Sequence, residues 1–142
     1  MLITRASRRE TSDLEEFFKE EEWDDPVLDK GIAFIARAGK IIGNVRLIEV
    51  DTNVLVIEDV LVSKDRRGDR IGTQLVQAAM NSRGGKLYLA CHDERLNWYG
   101  RLGFTVVDFD ALPEPVKTFY EETKAAPHQL PEGHVHHFMT AR

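Results

Sequence analysis

The chain has 142 residues, 42% hydrophobic and 30% charged, with a formal net charge of −5 at pH 7 and a single cysteine. That length suits one domain spanning residues 1–142, and the acidic balance disfavours nucleic-acid binding, which needs a basic face. A membrane span (~20 apolar residues), an intramolecular disulfide and a C-x-x-C zinc site are all excluded; with no apolar leader in MLITRASRRE, the expected location is cytoplasmic.

Leu2 to Ala6 reads as a first strand. Thr11 or Ser12 opens a helix, with Glu15 placed to close a capping box on Ser12. Leu14, Phe17 and Phe18 give it an apolar face, and Asp24-Asp25-Pro26 is expected to end it. Ile32 to Arg37, Ile41 to Val50 and Val54 to Val62 read as three strands joined by tight turns, an antiparallel meander. Ser63 to Arg70 is a polar loop. A helix follows over Ile71 to Asn81, with Ile71, Leu75, Ala78 and Ala79 on one side, stopped by Gly84-Gly85. Lys86 to Cys91 reads as a strand, Asp93 to Leu102 as a helix and Thr105 to Phe109 as a strand. Pro113 to Lys124 is a further helix and Val135 to Thr140 a last strand. The crossover after Val62 requires a parallel pair. The fold class is α/β (α+β), a mixed sheet of six or seven strands flanked by helices.

The charge is uneven. Glu15 to Asp25 is acidic and Lys64 to Arg70 mostly basic. The segment Arg66-Arg67-Gly68-Asp69-Arg70-Ile71-Gly72-Thr73 lies between a strand and a helix. Unpaired N–H groups and the positive dipole end of a helix start attract an anion, and glycine admits a phosphate close to the backbone. It is neither a Walker A loop nor a G-x-G-x-x-G fingerprint. An ordinary charged loop capped by glycine is the alternative.

Three segments together resemble the GNAT superfamily of N-acetyltransferases. Arg67-Gly68-Asp69-Arg70-Ile71-Gly72 is similar to its pyrophosphate motif, R/Q-x-x-G-x-G/A. Asn97 to Phe104 (NWYGRLGF) is similar to its aromatic-Tyr-x-x-x-Gly-Phe signature, and Ile57 to Val62 to the strand before the loop. The resemblance covers Ile32 to Phe109. Arg70 replaces a usual glycine, His92 an asparagine and Arg95 an alanine.

The resemblance implies an enzyme that transfers acetyl from acetyl-CoA to a primary amine by direct attack in a ternary complex, with no metal. It implies that Leu61 and Val62 contact the pantetheine arm, with a backbone N–H there as the oxyanion donor. It places the pyrophosphate on Arg67, Gly68, Asp69, Arg70, Ile71, Gly72 and Thr73, with His92 at the cofactor-side strand end. Tyr99 is the acid for the departing thiolate; the other reading of it is an aromatic core residue between Trp98 and Phe104. For the base, Glu58 comes first and Asp59 second. Alternation on a regular strand points them to opposite faces, and either carboxylate has the alternative of pairing with an arginine. Cys91 reads as a buried small hydrophobe rather than a nucleophile. His134 and His136 alternate onto one strand face but read as surface or substrate-lining residues rather than metal ligands.

An acidic rim from Leu14 to Leu28 would attract a cationic amine. Other readings keep the fold and lose the chemistry, as an acyl-CoA sensor or a protein-interaction module, or move a different acyl group. A homodimer is the expected assembly of such a fold.

Overall fold

The computed structural model describes residues 1–142. Its strands are β1 (Leu2–Arg5), β2 (Ile32–Ala38), β3 (Lys40–Asp51), β4 (Val54–Val62), β5 (Lys86–Cys91), β6 (Thr105–Val107) and β7 (His137–Ala141). Its α-helices are α1 (Thr11–Glu20), α2 (Ile71–Ser82), α3 (Leu96–Arg101) and α4 (Glu114–Glu122). The strands form one mixed sheet in the order β1-β2-β3-β4-β5-β7-β6, with flanking helices. No helix is long and apolar enough to cross a membrane. By contacts the chain divides into two compact units, residues 1–48 with 57–84 and residues 49–56 with 85–142.

In the first unit β1 and β2 pair antiparallel, as do β2 and β3. Residues Ile41 to Ile48 of β3 are all buried, so this strand is covered on both faces and shows no polar alternation. Leu14, Phe17 and Phe18 of α1 pack with Ala33, Ile35, Ile41 and Leu61. Full burial of side chains this size stabilises by about 1.5–3 kcal/mol each. On α2 the buried residues are Ile71, Leu75, Val76 and Ala79, so Val76 takes the place expected of Ala78. Gly43 of β3 makes room for that helix: a Cβ there would lie 2.8 Å from Leu75 Cδ1.

Both ends of α1 differ from expectation. The chain is already helical from Arg8, in a 3-10 turn, and Glu10 Oε1 accepts the Ser7 N–H at 2.9 Å. The reach-back carboxylate is therefore Glu10, not Glu15, because the helical path starts one turn earlier. The helix stops at Glu20, before Asp24-Asp25-Pro26. Trp23 N–H donates to Phe18 O and Glu22 N–H to Lys19 O, with Glu22 left-handed at φ 56°. That is a Schellman closure built on glutamate, so the glycine that normally announces it is missing.

In the second unit Val54–Val56 of β4 pairs in parallel with Lys86–Tyr88 of β5. β7 pairs antiparallel with both β5 and β6, and so lies between them although β6 precedes it in the chain. The helix expected over Asp93 to Leu102 is a 3-10 turn (Asp93–Arg95) followed by α3. β6 ends at Val107 instead of Phe109, which enters a 3-10 turn with its ring 5.2 Å from that of Phe138. Tyr120 of α4 meets the same Phe138 ring at 5.0 Å, and both residues are buried. β7 starts at His137, two residues later than expected.

Gly31 tests how tightly the first unit is built. It has φ +75°, and a Cβ there would lie 2.5 Å from Leu47 O. Gly31→Ala should destabilise by about 2–4 kcal/mol, since the left-handed penalty and a backbone clash add. Gly39→Ala, at φ +80° with nothing within 4 Å, should cost only about 1–2 kcal/mol. Urea unfolding of the two variants measures the difference.

Candidate active site

Asp59 sits in the middle of β4 with a left-handed backbone, φ 53°. Every acceptor it presents is used. Asn44 Nδ2 donates to its main-chain carbonyl at 2.9 Å. Trp23 Nε1 donates to Oδ1 at 3.0 Å and the Val27 N–H to Oδ2 at 2.7 Å. Arg46 Nη1 donates to Lys30 O at 2.8 Å. Two buried polar residues of β3, Asn44 and Arg46, thus help fasten the segment after α1. Neither was singled out from sequence. The available signal was two polar residues inside the apolar run IIGNVRLIEV.

Because Asp59 is left-handed, the alternation rule does not carry across Glu58–Asp59. Asp59 is 8% exposed and Glu58 half-buried. Burial, and then the charge of Asp59, push the Glu58 carboxyl up to about 8. Burial also raises the Asp59 carboxyl, against the pull of the Val27 N–H, the Trp23 indole and Arg46. Neither carboxylate forms an ion pair with an arginine.

Leu61 is buried at the end of β4 and Val62 half-buried. A 3-10 turn (Lys64–Arg66) follows, and Arg67 Nε donates to Val62 O at 3.3 Å. Gly68 is at φ +97° with nothing within 4 Å of a Cβ position. Asp69 Oδ2 lies 4.0 Å from Arg66 Nε. Arg70 is the N-cap of α2 at φ 62°, and its carbonyl accepts the Gln74 N–H at 3.1 Å. The N–H groups of Ile71, Gly72 and Thr73 therefore have no carbonyl one turn back within the helix. Arg70 occupies a left-handed position that glycine fills without strain.

The remaining residues lie in the second unit. Tyr99 is buried on α3, its ring 4.7 Å from Trp98 and 5.9 Å from Phe104. His92 is exposed after β5, with its ring 5.1 Å from His136. His136 Nδ1 lies 3.2 Å from Ala125 O, and burial lowers its pKa. His137 pairs with Asp93. His134 and His136 precede β7, so strand alternation does not apply to them. No group of three or more His, Cys, Asp or Glu side chains is placed to hold a metal ion. Cys91 is buried with Sγ 3.8 Å from Met139 Sδ, and burial first, then Asp93 and Glu94, push its thiol up to about 11. It is not a thiolate at neutral pH.

The model of the acetyltransferase (GNAT) domain matches residues 29–106. The chain belongs to the GNAT acetyltransferase family. Solved structures of the same fold include N-acetylglutamate synthase from Neisseria gonorrhoeae complexed with coenzyme A and N-acetyl-glutamate (TM-score 0.70, 16% identity, 100% of this chain, 35% of that one). A GNAT-family acetyltransferase from Staphylococcus aureus is similar over 99% of this chain and 97% of its own (TM-score 0.68, 19% identity). An acyl-CoA N-acyltransferase from Pseudomonas aeruginosa is similar over 99% of each chain (TM-score 0.69, 19% identity). At these identities the likeness is one of fold. This chain spans about a third of the synthase and nearly all of the other two. No curated protein matches it.

Arg70→Gly should stabilise the protein by about 1 kcal/mol, the left-handed penalty less the entropy glycine adds to the unfolded chain. Asp59→Ala should destabilise by about 1–3 kcal/mol, because the Val27 N–H and the Trp23 indole lose the acceptor of two partly buried hydrogen bonds. Thermal unfolding of both variants at one pH checks the two signs.

Proposed function

We propose that the chain transfers an acetyl group from acetyl-CoA to a primary amine by direct attack in a ternary complex, as one cytoplasmic catalytic domain. The observation that carries this reading is the run from Leu61 to Thr73, where a strand end, a loop open above Gly68 and the N-terminus of a 12-residue helix follow one another. That run fits a pyrophosphate. Unpaired N–H groups from Ile71 to Thr73 and the positive end of the helix dipole attract the anion. Gly68 presents no side chain to hold it away, and Arg66, Arg67 and Arg70 supply charge.

Acetyl-CoA supplies the thioester carbonyl that is attacked and the thiolate that departs. The chain then has three tasks. An alkylammonium, with a pKa of about 10, must lose a proton before it attacks. Glu58 is the proposed base: with its carboxyl near 8, it is far better matched to that proton than an ordinary carboxylate. Asp59 is the weaker choice, since Trp23 and Val27 already occupy its two oxygens. A backbone N–H near Leu61 or Val62 would stabilise the oxyanion. The Tyr99 hydroxyl would protonate the thiolate, with its ring held by Trp98 and Phe104.

Calorimetric titration with acetyl-CoA, using ADP as a control without the pantetheine arm, tests the donor. Tight binding that requires the arm is expected; absence of binding would sink the reading. With an accepted amine, kcat/KM should rise with pH and reach half its plateau near pH 8, as Glu58 loses its proton. Glu58→Gln should lower it about 10²–10⁴-fold. Glu58 binds its proton more tightly in the folded than in the unfolded chain, so it destabilises progressively as pH rises from about 4.5 to about 8. Glu58→Gln should therefore raise Tm at pH 9 and leave it nearly unchanged at pH 4.

A further inference from the structure

A cleft of about 570 Å³ opens in the first unit, between the end of β1 and the start of β2. Its wall carries Arg5, Arg8, Lys30 and Arg46 against one carboxylate, Asp29. This is a locally cationic hollow in a chain whose net charge is −5. Arg5, Arg8 and Lys30 are exposed, while Arg46 rises from β3 and is 5% exposed.

The hydrogen-bond inventory of Arg46 is incomplete. Nη1 donates to Lys30 O at 2.8 Å, but Nε is buried with no acceptor. Leaving a buried donor unpaired is costly, and more so when the group is charged. The nearby carboxylates do not relieve it. Asp59 spends its oxygens on Trp23 and Val27, and Asp29 makes no ion pair with Arg46. Burial lowers the basicity of Arg46 while Asp59 and Asp29 oppose that effect, yet a guanidinium stays charged at neutral pH. A carboxylate is the ligand whose charge and planar pair of oxygens match a guanidinium at a cleft wall.

We propose that this cleft binds the carboxylate of the acyl acceptor, so that the acceptor is an amine that also carries an acid group, such as an amino acid. The inference rests on the acyltransferase reading above and narrows its substrate. It also adds an acid group to the cationic amine expected from the acidic rim of Leu14 to Leu28, because this cleft is lined with the opposite sign. Arg46 interacts electrostatically with Asp59, whose chain neighbour Glu58 is the proposed base.

The test has two arms. In the first, acetyl-CoA is offered with a mixture of L-amino acids, their decarboxylated counterparts and phosphoethanolamine, and products are identified by mass spectrometry. Carboxylate-bearing amines should be preferred over their decarboxylated partners by about tenfold or more in kcat/KM. Arg46→Gln should abolish that preference and Arg46→Lys restore part of it. Arg5→Glu with Arg8→Glu, on the exposed wall where folding is not at risk, should raise KM for the acid more than it lowers kcat. In the second arm, the Arg46 Nε–H resonance is followed by NMR in the absence of acetyl-CoA, and should shift saturably with the amino-acid mixture. Equal or better use of the decarboxylated amines, a preference for the phosphate, or an unmoved Nε–H resonance overturns the proposal. Failure to bind acetyl-CoA with a shifted resonance would instead overturn the acyltransferase reading and leave the carboxylate site standing.

Discussion

A left-handed aspartate in the middle of a strand is held in place by three donors that reach it from two other segments, β3 and the stretch after α1. The backbone of Asp59 costs about 1–2 kcal/mol in that conformation. Asn44, Trp23 and Val27 supply three hydrogen bonds, each worth about 0.5–1.5 kcal/mol net, so the strained residue is retained. Glycine would adopt the same φ without strain but would drop the two side-chain bonds. The chain therefore exchanges local strain for a fastening. The segment after α1 is tied to β4, and Glu58 is held where solvent cannot easily stabilise its charge.

A second left-handed residue, Arg70, stands at the other end of the same stretch. Between it and Asp59 lie the strand end and the glycine-bearing loop that make up the proposed donor site. Strained residues persist where the surroundings over-determine them, and often where function requires a particular backbone path. Here the strain at Asp59 is offset by hydrogen bonds. At Arg70 the structure shows no compensating side-chain bond, which makes the backbone path, rather than a contact of the arginine, the feature being kept.

Charge in this protein has to be read by place and not by sum. The chain as a whole is acidic, and most of the carboxylates between Glu15 and Asp25 are exposed. Two places carry the other sign: the loop before α2, with its arginines, and the first-unit cleft, with arginines and a lysine. Exposed carboxylates on a convex face are screened over roughly 10 Å at moderate salt. A buried guanidinium is screened far less, so Arg46 weighs more in deciding what binds than the larger number of surface acids does.

Much of the frame was legible from neighbours in the chain. The bounds of β4 and β5, the start of α2 and the loop before it follow from apolar runs, turn residues and a helix-start pattern, and these are short-range signals. The motifs around Arg67 and Tyr99 led to the family for the same reason. Other features depended on residues far apart in sequence. The early end of α1 used a glutamate where glycine would have been the sign. The insertion of β7 between β5 and β6 depends on long-range pairing. The left-handed turn at Asp59 became possible only when Asn44, Trp23 and Val27 arrived around it. The raised basicity of Glu58 and the unpaired Nε of Arg46 are consequences of burial. The sequence by itself determined the elements, the family and the loop, because those are written in local chemistry; only the tertiary structure decided which polar groups lost water and which found partners, because desolvation is a property of the assembled neighbours and not of any one segment.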